Sequence, residues 1–130
     1  MTAEPARILV VEDNPLNLEL ASELLRFCGY AVLQAGTAEE GLRLARSERP
    51  DLILMDVRLP GMDGLAAVRV LKRDAETRAI PTVAMTAQAM KGDEDAARAA
   101  GFDDYVTKPI DTRAFPVTVA RLLAARDGVP

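Results

Sequence analysis

The stretch DLILMDVRLPGMDG, residues 51–64, decides the fold. Its apolar segment, residues 52–55, has the length and composition of a β-strand buried on both faces, as found in the middle of a parallel sheet. The segment runs into Asp56, and the proline and glycines that follow predict a loop. Open α/β sheets bind ligands beyond the carboxyl ends of such strands, so Asp56 is placed where a ligand would bind.

The rest of the chain repeats the alternation of strand and helix. Further apolar segments of strand length occupy residues 8–11, 30–35, 80–85 and 102–106. Helical patterns follow each of the strands, which favours right-handed crossovers and a parallel sheet covered on both faces. The predicted fold is therefore α/β, with a doubly wound five-stranded parallel sheet and the first and third strands at its centre.

Five helices are predicted. The first begins at Pro15, ends at Gly29 and has one apolar face, the pattern of a helix packed on a core. The fourth, over about residues 91–99, is charged and rich in alanine. The fifth starts near Asp111, and Pro116 should delay or kink its start. The apolar faces of the first, second, third and fifth helices comprise Leu16, Leu20, Leu24 and Phe27; Ala38, Leu42 and Ala45; Leu65, Val68 and Leu71; and Phe115, Val119, Leu122 and Leu123.

Composition narrows the classes of function. A chain of 130 residues with 49% hydrophobic and 28% charged residues is expected to form one globular domain, with no membrane-spanning segment. Residues 1–6 lack the features of a secretory signal, so we expect a cytoplasmic protein, and the single Cys28 excludes an internal disulfide. The absence of histidine excludes histidine-based triads and argues against structural zinc. A net charge of −4 argues against direct nucleic-acid binding.

Polar side chains stand at the predicted carboxyl ends of four strands. Glu12 and Asp13 end the first strand, Asp56 the third, Thr86 the fourth and Lys108 the fifth. Because parallel strands end at the same edge of a sheet, these side chains are expected to converge on one rim.

Each of these residues also has an ordinary structural interpretation. Asp13 or Asn14 could cap the helix that Pro15 begins, and Thr86 could be a strand-end or capping hydroxyl. Asp56 could bind loop amides, and Lys108 could be a solvated lysine.

Taken together, the residues favour a metal and phosphoryl site. Close carboxylates repel each other by about 4 kcal/mol per pair at moderate dielectric, so gathering three of them implies a cation. The all-oxygen ligand set favours Mg²⁺, or else Mn²⁺, over zinc. A rim neutralised by the metal and Lys108 could accept a phosphoryl group attacked by a carboxylate, with its oxygens held by the metal, the lysine and the hydroxyl of Thr86.

Over about residues 7–125 the chain resembles the receiver domain of bacterial response regulators, the phospho-accepting modules of two-component signalling. The resemblance rests on the blocks VVEDNP, DLILMDVRLPGMDG, MTA and TKPI in this order and spacing. It implies a flavodoxin-like (βα)5 fold with strand order 2-1-3-4-5. The longer string TAQAMKGDE is similar to two subgroups, the stand-alone DivK-type single-domain regulators and the receiver modules of hybrid histidine kinases. We favour the stand-alone interpretation, with residues 1–130 as one receiver domain with short terminal tails.

The resemblance assigns a role to each matching residue. Asp56 corresponds to the phospho-accepting aspartate, which binds Mg²⁺ together with Asp13, and Glu12 acts through a water. Arg58 corresponds to the position that gives a backbone carbonyl to the metal. The remaining assignments are the switch residues Thr86 and Tyr105, the catalytic lysine Lys108, the cis-proline Pro109, and the positions that tune phosphoryl lifetime, Arg58 and Gln88.

The resemblance also implies the partners. A histidine kinase or phosphotransfer protein would donate the phosphoryl group through the first helix, and a downstream protein would bind the face made by the fourth helix, fifth strand and fifth helix. The chain would catalyse only its own phosphorylation and dephosphorylation and would not otherwise be an enzyme. It would be a monomer or weak dimer.

Rival classes fit the residues less well. A haloacid-dehalogenase-type phosphatase needs a second acid where Arg58 stands, and a flavodoxin-like cofactor binder needs a phosphate-binding loop where the acidic EDNP stands. A pseudo-receiver that acts only as a scaffold remains the alternative.

Overall fold

The computed structural model describes residues 5–59, 61–86, 91–108 and 110–126. Five strands alternate with five helices along this part of the chain. In chain order the elements are β1 Arg7–Val11, α1 Pro15–Phe27, β2 Ala31–Ala35, α2 Ala38–Glu48, β3 Leu52–Asp56, α3 Gly64–Arg73, β4 Thr82–Thr86, α4 Lys91–Ala100, β5 Asp104–Thr107 and α5 Ala114–Arg126. No helix among the described residues is long and apolar enough to span a bilayer.

The sheet is parallel throughout and has the strand order β2-β1-β3-β4-β5. This order confirms the predicted doubly wound fold and the position of β3 in the middle. Every residue of β3 is buried, because helices cover both faces of the sheet. The register pairs Val11 with Met55 and Asp56 with Met85, so the carboxyl ends of the three inner strands lie side by side.

The core has two parts, one on each face of the sheet. One face packs against α2, α3 and α4, with Leu9, Ile53 and Phe102 among its buried residues. The other packs against α1 and α5, with Leu54 and Phe115 buried. This division follows from the alternation of side chains along each strand.

Side-chain caps define where the helices begin. The Thr37 hydroxyl accepts from the backbone N–H of Glu40 and so caps α2. Asp63 caps α3 by accepting from the N–H of Ala66. The Asp111 side chain accepts from two amides, and α5 begins only at Ala114. Pro116 therefore lies in the first turn, where an amide hydrogen has no partner within the helix.

The apolar face predicted for the core side of α1 is wrong. Leu16, Leu20 and Phe27 are 73%, 55% and 89% exposed, whereas Ala21 and Leu25 are buried against the sheet. Ala21 and Leu25 are four residues apart and lie on a different face of the helix, and burial of that face leaves the predicted face on the outer side. The chain thus presents an apolar helix face to solvent.

Some strand limits also differ from the prediction. β4 starts at Thr82 and not at residue 80, and β5 starts at Asp104 and not at residue 102. Pro81 precedes β4, and proline has no amide hydrogen for a strand ladder. Both strands extend one residue further than predicted, which brings Thr86 and Thr107 into register.

Candidate functional site

Three carboxylates meet at the carboxyl ends of β1 and β3. One oxygen from each of Glu12, Asp13 and Asp56 lies within 4.8 Å of the others. Glu12 and Asp56 are 1% and 5% exposed, whereas Asp13 is exposed. Two buried carboxylates beside a third are unfavourable unless cations compensate them.

Lys108 supplies one of these cations. Its Nζ lies 2.7 Å from Asp56 Oδ2 and 2.5 Å from Glu12 Oε1. The loop after β5 positions the lysine, whose backbone N–H donates to the carbonyl of Thr86 at 2.7 Å. The other oxygen of Asp56, Oδ1, accepts from the backbone N–H of Arg58 at 3.0 Å. Both oxygens of Asp56 therefore have donors, and the carboxylate is held in one orientation.

The charges in this site affect one another. Burial is the main cause that raises the pKa of Glu12 above its ordinary value, and the charge of Asp56 adds to it against the lowering effect of Lys108. Burial alone would lower the pKa of Lys108, but its hydrogen bonds to Asp56 and Glu12 and their charges together raise it. Lys108 is therefore an ammonium at neutral pH.

Two buried oxygen atoms at this rim are incompletely paired among the described residues. Glu12 Oε1 has only the ammonium of Lys108 beside it, and the hydroxyl oxygen of Thr86 has no hydrogen bond. Leaving a buried polar atom unpaired costs about 1–3 kcal/mol, so such atoms usually have a ligand, ion or water as partner. A hydrated divalent cation suits the carboxylate oxygen, and a phosphoryl oxygen suits the hydroxyl.

The structure also bears on the ordinary interpretations of these residues. Asn14 and not Asp13 caps α1, since its side chain accepts from the N–H groups of Leu16 and Asn17. The solvated interpretation of Lys108 is wrong, because its side chain is only 20% exposed and pairs with two carboxylates. Asp56 does bind one loop amide, with only one of its oxygens.

The remaining predicted site residues lie further out. Arg58 is exposed and follows the site in the β3–α3 loop. Tyr105 is partly buried on β5, where it packs against the α2–α4 side of the core and beneath the guanidinium of Arg98. Pro109 and Gln88 lie outside the described residues, and their assignments stay predictions.

Sequence reasoning missed Gly64, the first residue of α3. A Cβ at this position would lie 2.3 Å from the backbone oxygen of Asp56, and the N–H of Gly64 donates to the Val57 carbonyl at 2.8 Å. The start of α3 thus lies directly against the backbone that carries Asp56. The GMDG string contains this glycine, but only the close approach in three dimensions gives it a role.

Comparison with known proteins agrees with this geometry. Residues 8–120 match the model of the response regulator receiver domain. The chain is 44% identical over 119 residues to the polar-differentiation response regulator DivK of Brucella anthropi, covering 92% of this chain and 97% of that protein. DivK of Brucella ovis is also 44% identical, over 116 residues, covering 89% of this chain and 94% of that protein.

Solved structures are similar as well. A response regulator from Chloroflexus aurantiacus superimposes with a TM-score of 0.89 at 32% identity, covering 92% of this chain and 98% of that one. The receiver domain of a sensor histidine kinase from Pseudomonas aeruginosa superimposes with a TM-score of 0.86 at 36% identity, covering 92% and 98%. That structure has a magnesium ion coordinated in its active-site cleft.

Proposed function

Because the chain belongs to the response regulator receiver domain family of two-component signalling, we propose that it accepts a phosphoryl group on Asp56 in a Mg²⁺-dependent reaction. The donor is a phosphohistidine of a partner kinase or phosphotransfer protein. The observation that carries the proposal is the arrangement at the rim, where a fixed Asp56 lies beside Lys108 and two further carboxylates, and where the Thr86 hydroxyl has no hydrogen bond within the described part of the chain.

Glu12, Asp13 and Asp56 are the side chains that would hold the metal. Asp13 and Asp56 are proposed as direct ligands, Glu12 as a ligand through water, and the carbonyl of Arg58 as a backbone ligand. Oxygen ligands of this kind suit Mg²⁺, with Mn²⁺ as the second choice. When bound, the metal neutralises charge on the transferring phosphoryl group and orients it.

The proposed transfer forms one bond to phosphorus and breaks one. A carboxylate oxygen of Asp56 attacks phosphorus, an O–P bond forms, and the P–N bond to the donor histidine breaks. The bonding electron pair goes to the imidazole nitrogen, and the product is an acyl phosphate on Asp56. Lys108, now paired with Asp56, is close enough to pair with a phosphoryl oxygen instead, which stabilises the charge that develops there.

The new phosphoryl group is the proposed signal. It adds about −1.5 to −2 charges to the rim, and the unpaired hydroxyl of Thr86 is the group proposed to bind it. Tyr105 lies on the neighbouring strand and would move with Thr86. The switch would change the surface of α4, β5 and α5, to which a downstream protein binds, by shifting a population between two states.

The exposed apolar face of α1 is the proposed surface for the donor. It forms a groove with residues of the segment between β5 and α5. The groove is lined by Leu20, Glu23, Leu24, Phe27, Ile110 and Thr112. Exposed apolar surface of this kind is typical of protein interaction sites.

The stand-alone DivK-type role is the preferred setting, supported by the 44% identity and nearly full mutual coverage. A receiver module of a hybrid histidine kinase is the alternative, since such a domain is 36% identical. We further propose that residues 1–130 form one receiver domain and that the protein is cytoplasmic. It would be a monomer or weak dimer and would not bind nucleic acid or membranes directly. A scaffold that is never phosphorylated is the second alternative.

Acetyl phosphate with Mg²⁺, read by intact mass, tests the proposal. The unmodified protein should gain the mass of one phosphoryl group, and Asp56→Asn should gain none. Asp51→Asn is the matched control, because Asp51 lies just before the same strand, binds the backbone N–H of Arg7 and should not affect labelling. Labelling of Asp56→Asn at the unmodified level would refute the assignment, and no labelling of the unmodified protein would favour the scaffold.

A further inference from the structure

Asp104, the first residue of the edge strand β5, joins three elements through one carboxylate. Its Oδ1 accepts from the backbone N–H of Tyr105 at 2.8 Å, and the same oxygen lies 3.7 Å from Nη2 of Arg98 on α4. Its Oδ2 accepts from the guanidinium of Arg121 on α5. The Asp104 side chain is 16% exposed, whereas the side chains of both arginines are more than half exposed.

Arg98 has a second contact, with the ring of Tyr105. Its guanidinium carbon lies 5.4 Å from the centroid of the ring, within the range of a cation–π contact. Arg98 itself is half exposed and, without a partner, would sample many conformations. Asp104 therefore restricts the arginine that covers the ring.

We infer that Asp104, acting through Arg98, positions the ring of Tyr105 in the unphosphorylated state. We call the group of Asp104, Arg98 and Arg121 the Asp104 cluster. Arg98 and Asp104 are positioning residues and do not contact the phosphorylation site.

The ring position occurs together with a Lys108 that is paired with Asp56 and Glu12, the arrangement proposed above to precede phosphoryl transfer. A movement of the Tyr105 ring that Arg98 does not follow gives up their contact. The regulatory part of the inference, that the cluster opposes activation, rests on the function proposed above.

The two arginines of the cluster provide a matched comparison. Both bind Asp104, but among the described contacts only Arg98 lies over the ring. Arg98→Ala should therefore release the ring, and Arg121→Ala should have a much smaller effect. Asp104→Asn keeps an acceptor for the N–H of Tyr105 but removes the charge that pairs with the two arginines. It therefore separates the effect of the hydrogen bond to Tyr105 from the effect of the ion pairs.

The ring of Tyr105 can be observed directly. The chain has two tyrosines and no tryptophan, so a Tyr30→Phe background leaves Tyr105 as the sole tyrosine. Ring-labelled tyrosine in that background gives NMR signals from one residue. In the unphosphorylated protein, Arg98→Ala and Asp104→Asn should move these signals in the same direction, and Arg98→Lys should restore part of the original position.

A second measurement tests the regulatory part, using beryllofluoride as a stable phosphoryl analogue in the presence of Mg²⁺. Losing one exposed cation–π contact from the resting state should raise the apparent affinity for the analogue by about twofold to fivefold in Arg98→Ala and Asp104→Asn. The affinity should stay near that of the background in Arg121→Ala.

The inference is overturned if the Tyr105 signals of Asp104→Asn match those of the background, or if Arg121→Ala moves them as far as Arg98→Ala does. If the Tyr105 signals shift but the affinity for beryllofluoride does not change, the regulatory part is refuted and the positioning of the ring by the cluster still stands. If the background protein itself does not bind the analogue, the proposed function fails, while the NMR comparison still tests the positioning of Tyr105.

Discussion

Gly64→Ala tests whether the start of α3 supports the phospho-accepting strand. The added Cβ would lie 2.3 Å from the Asp56 carbonyl oxygen and 2.8 Å from Val57 Cα, whereas ordinary contacts begin at 3.4 Å. Backbone atoms would have to separate by roughly 1 Å, and overpacking of this kind costs about 1–3 kcal/mol of unfolding free energy. A displacement of about 1 Å at a reacting group can also slow its chemistry about a hundredfold.

Gly36→Ala is the control, because a Cβ there meets nothing within 4 Å and the residue has no positive φ. Its free energy of unfolding in urea should stay within about 0.5 kcal/mol of the parent, and its rate of labelling by acetyl phosphate should not change. If Gly64→Ala matched Gly36→Ala in both assays, the close approach would be of no consequence. Lower stability with an unchanged labelling rate would mean that Gly64 packs the helix without positioning Asp56.

Three further predictions concern the metal, the lifetime and the donor. Asp13→Ala should weaken Mg²⁺ binding at least about tenfold, or about 1.4 kcal/mol, because a ligand is removed; unchanged affinity by titration would exclude Asp13 as a ligand. Arg58→Ala should lose its phosphoryl group faster after the donor is removed, since a guanidinium near the phosphoryl oxygens hinders the approach of water; an equal or longer half-life than the parent's would refute this. Phe27→Asp, on the exposed face of α1, should slow phosphoryl transfer from a phosphohistidine protein but not from acetyl phosphate, and equal slowing with both donors would contradict a docking role.

The sheet and its rim could be predicted because their signals are local. Apolar runs of strand length, each followed by a helical pattern, determine a parallel sheet, and its parallel strands bring Asp56 and Lys108 to one edge. Side-chain periodicity was less informative for α1. It identified an apolar face but could not tell whether that face met the sheet, because Ala21 and Leu25 belong to a second face and it is this face that the fold buries.

Contacts between residues that are far apart in the sequence could not be predicted from it. Nothing in the residues around Asp104 indicates that arginines from two helices will meet it, since both contacts depend on how α4 and α5 pack beside β5. Gly64 is similar, because its importance comes from one backbone approaching another. The pairing of Lys108 with both Asp56 and Glu12 likewise depends on the order of strands in the folded sheet.

Chemical mapping of the acyl phosphate tests the central claim most directly. After labelling with acetyl phosphate and Mg²⁺, borohydride reduces an aspartyl phosphate to homoserine, and trypsin then releases residues 47–58, since the bond between Arg49 and Pro50 resists cleavage. This peptide contains both Asp51 and Asp56, and fragmentation separates them. We predict homoserine at position 56, and chelation of Mg²⁺ should abolish it. The peptide of residues 8–26, which carries Glu12 and Asp13, should be unmodified. Homoserine at position 51 or 13, or reduction of Glu12 in place of Asp56, would contradict the account.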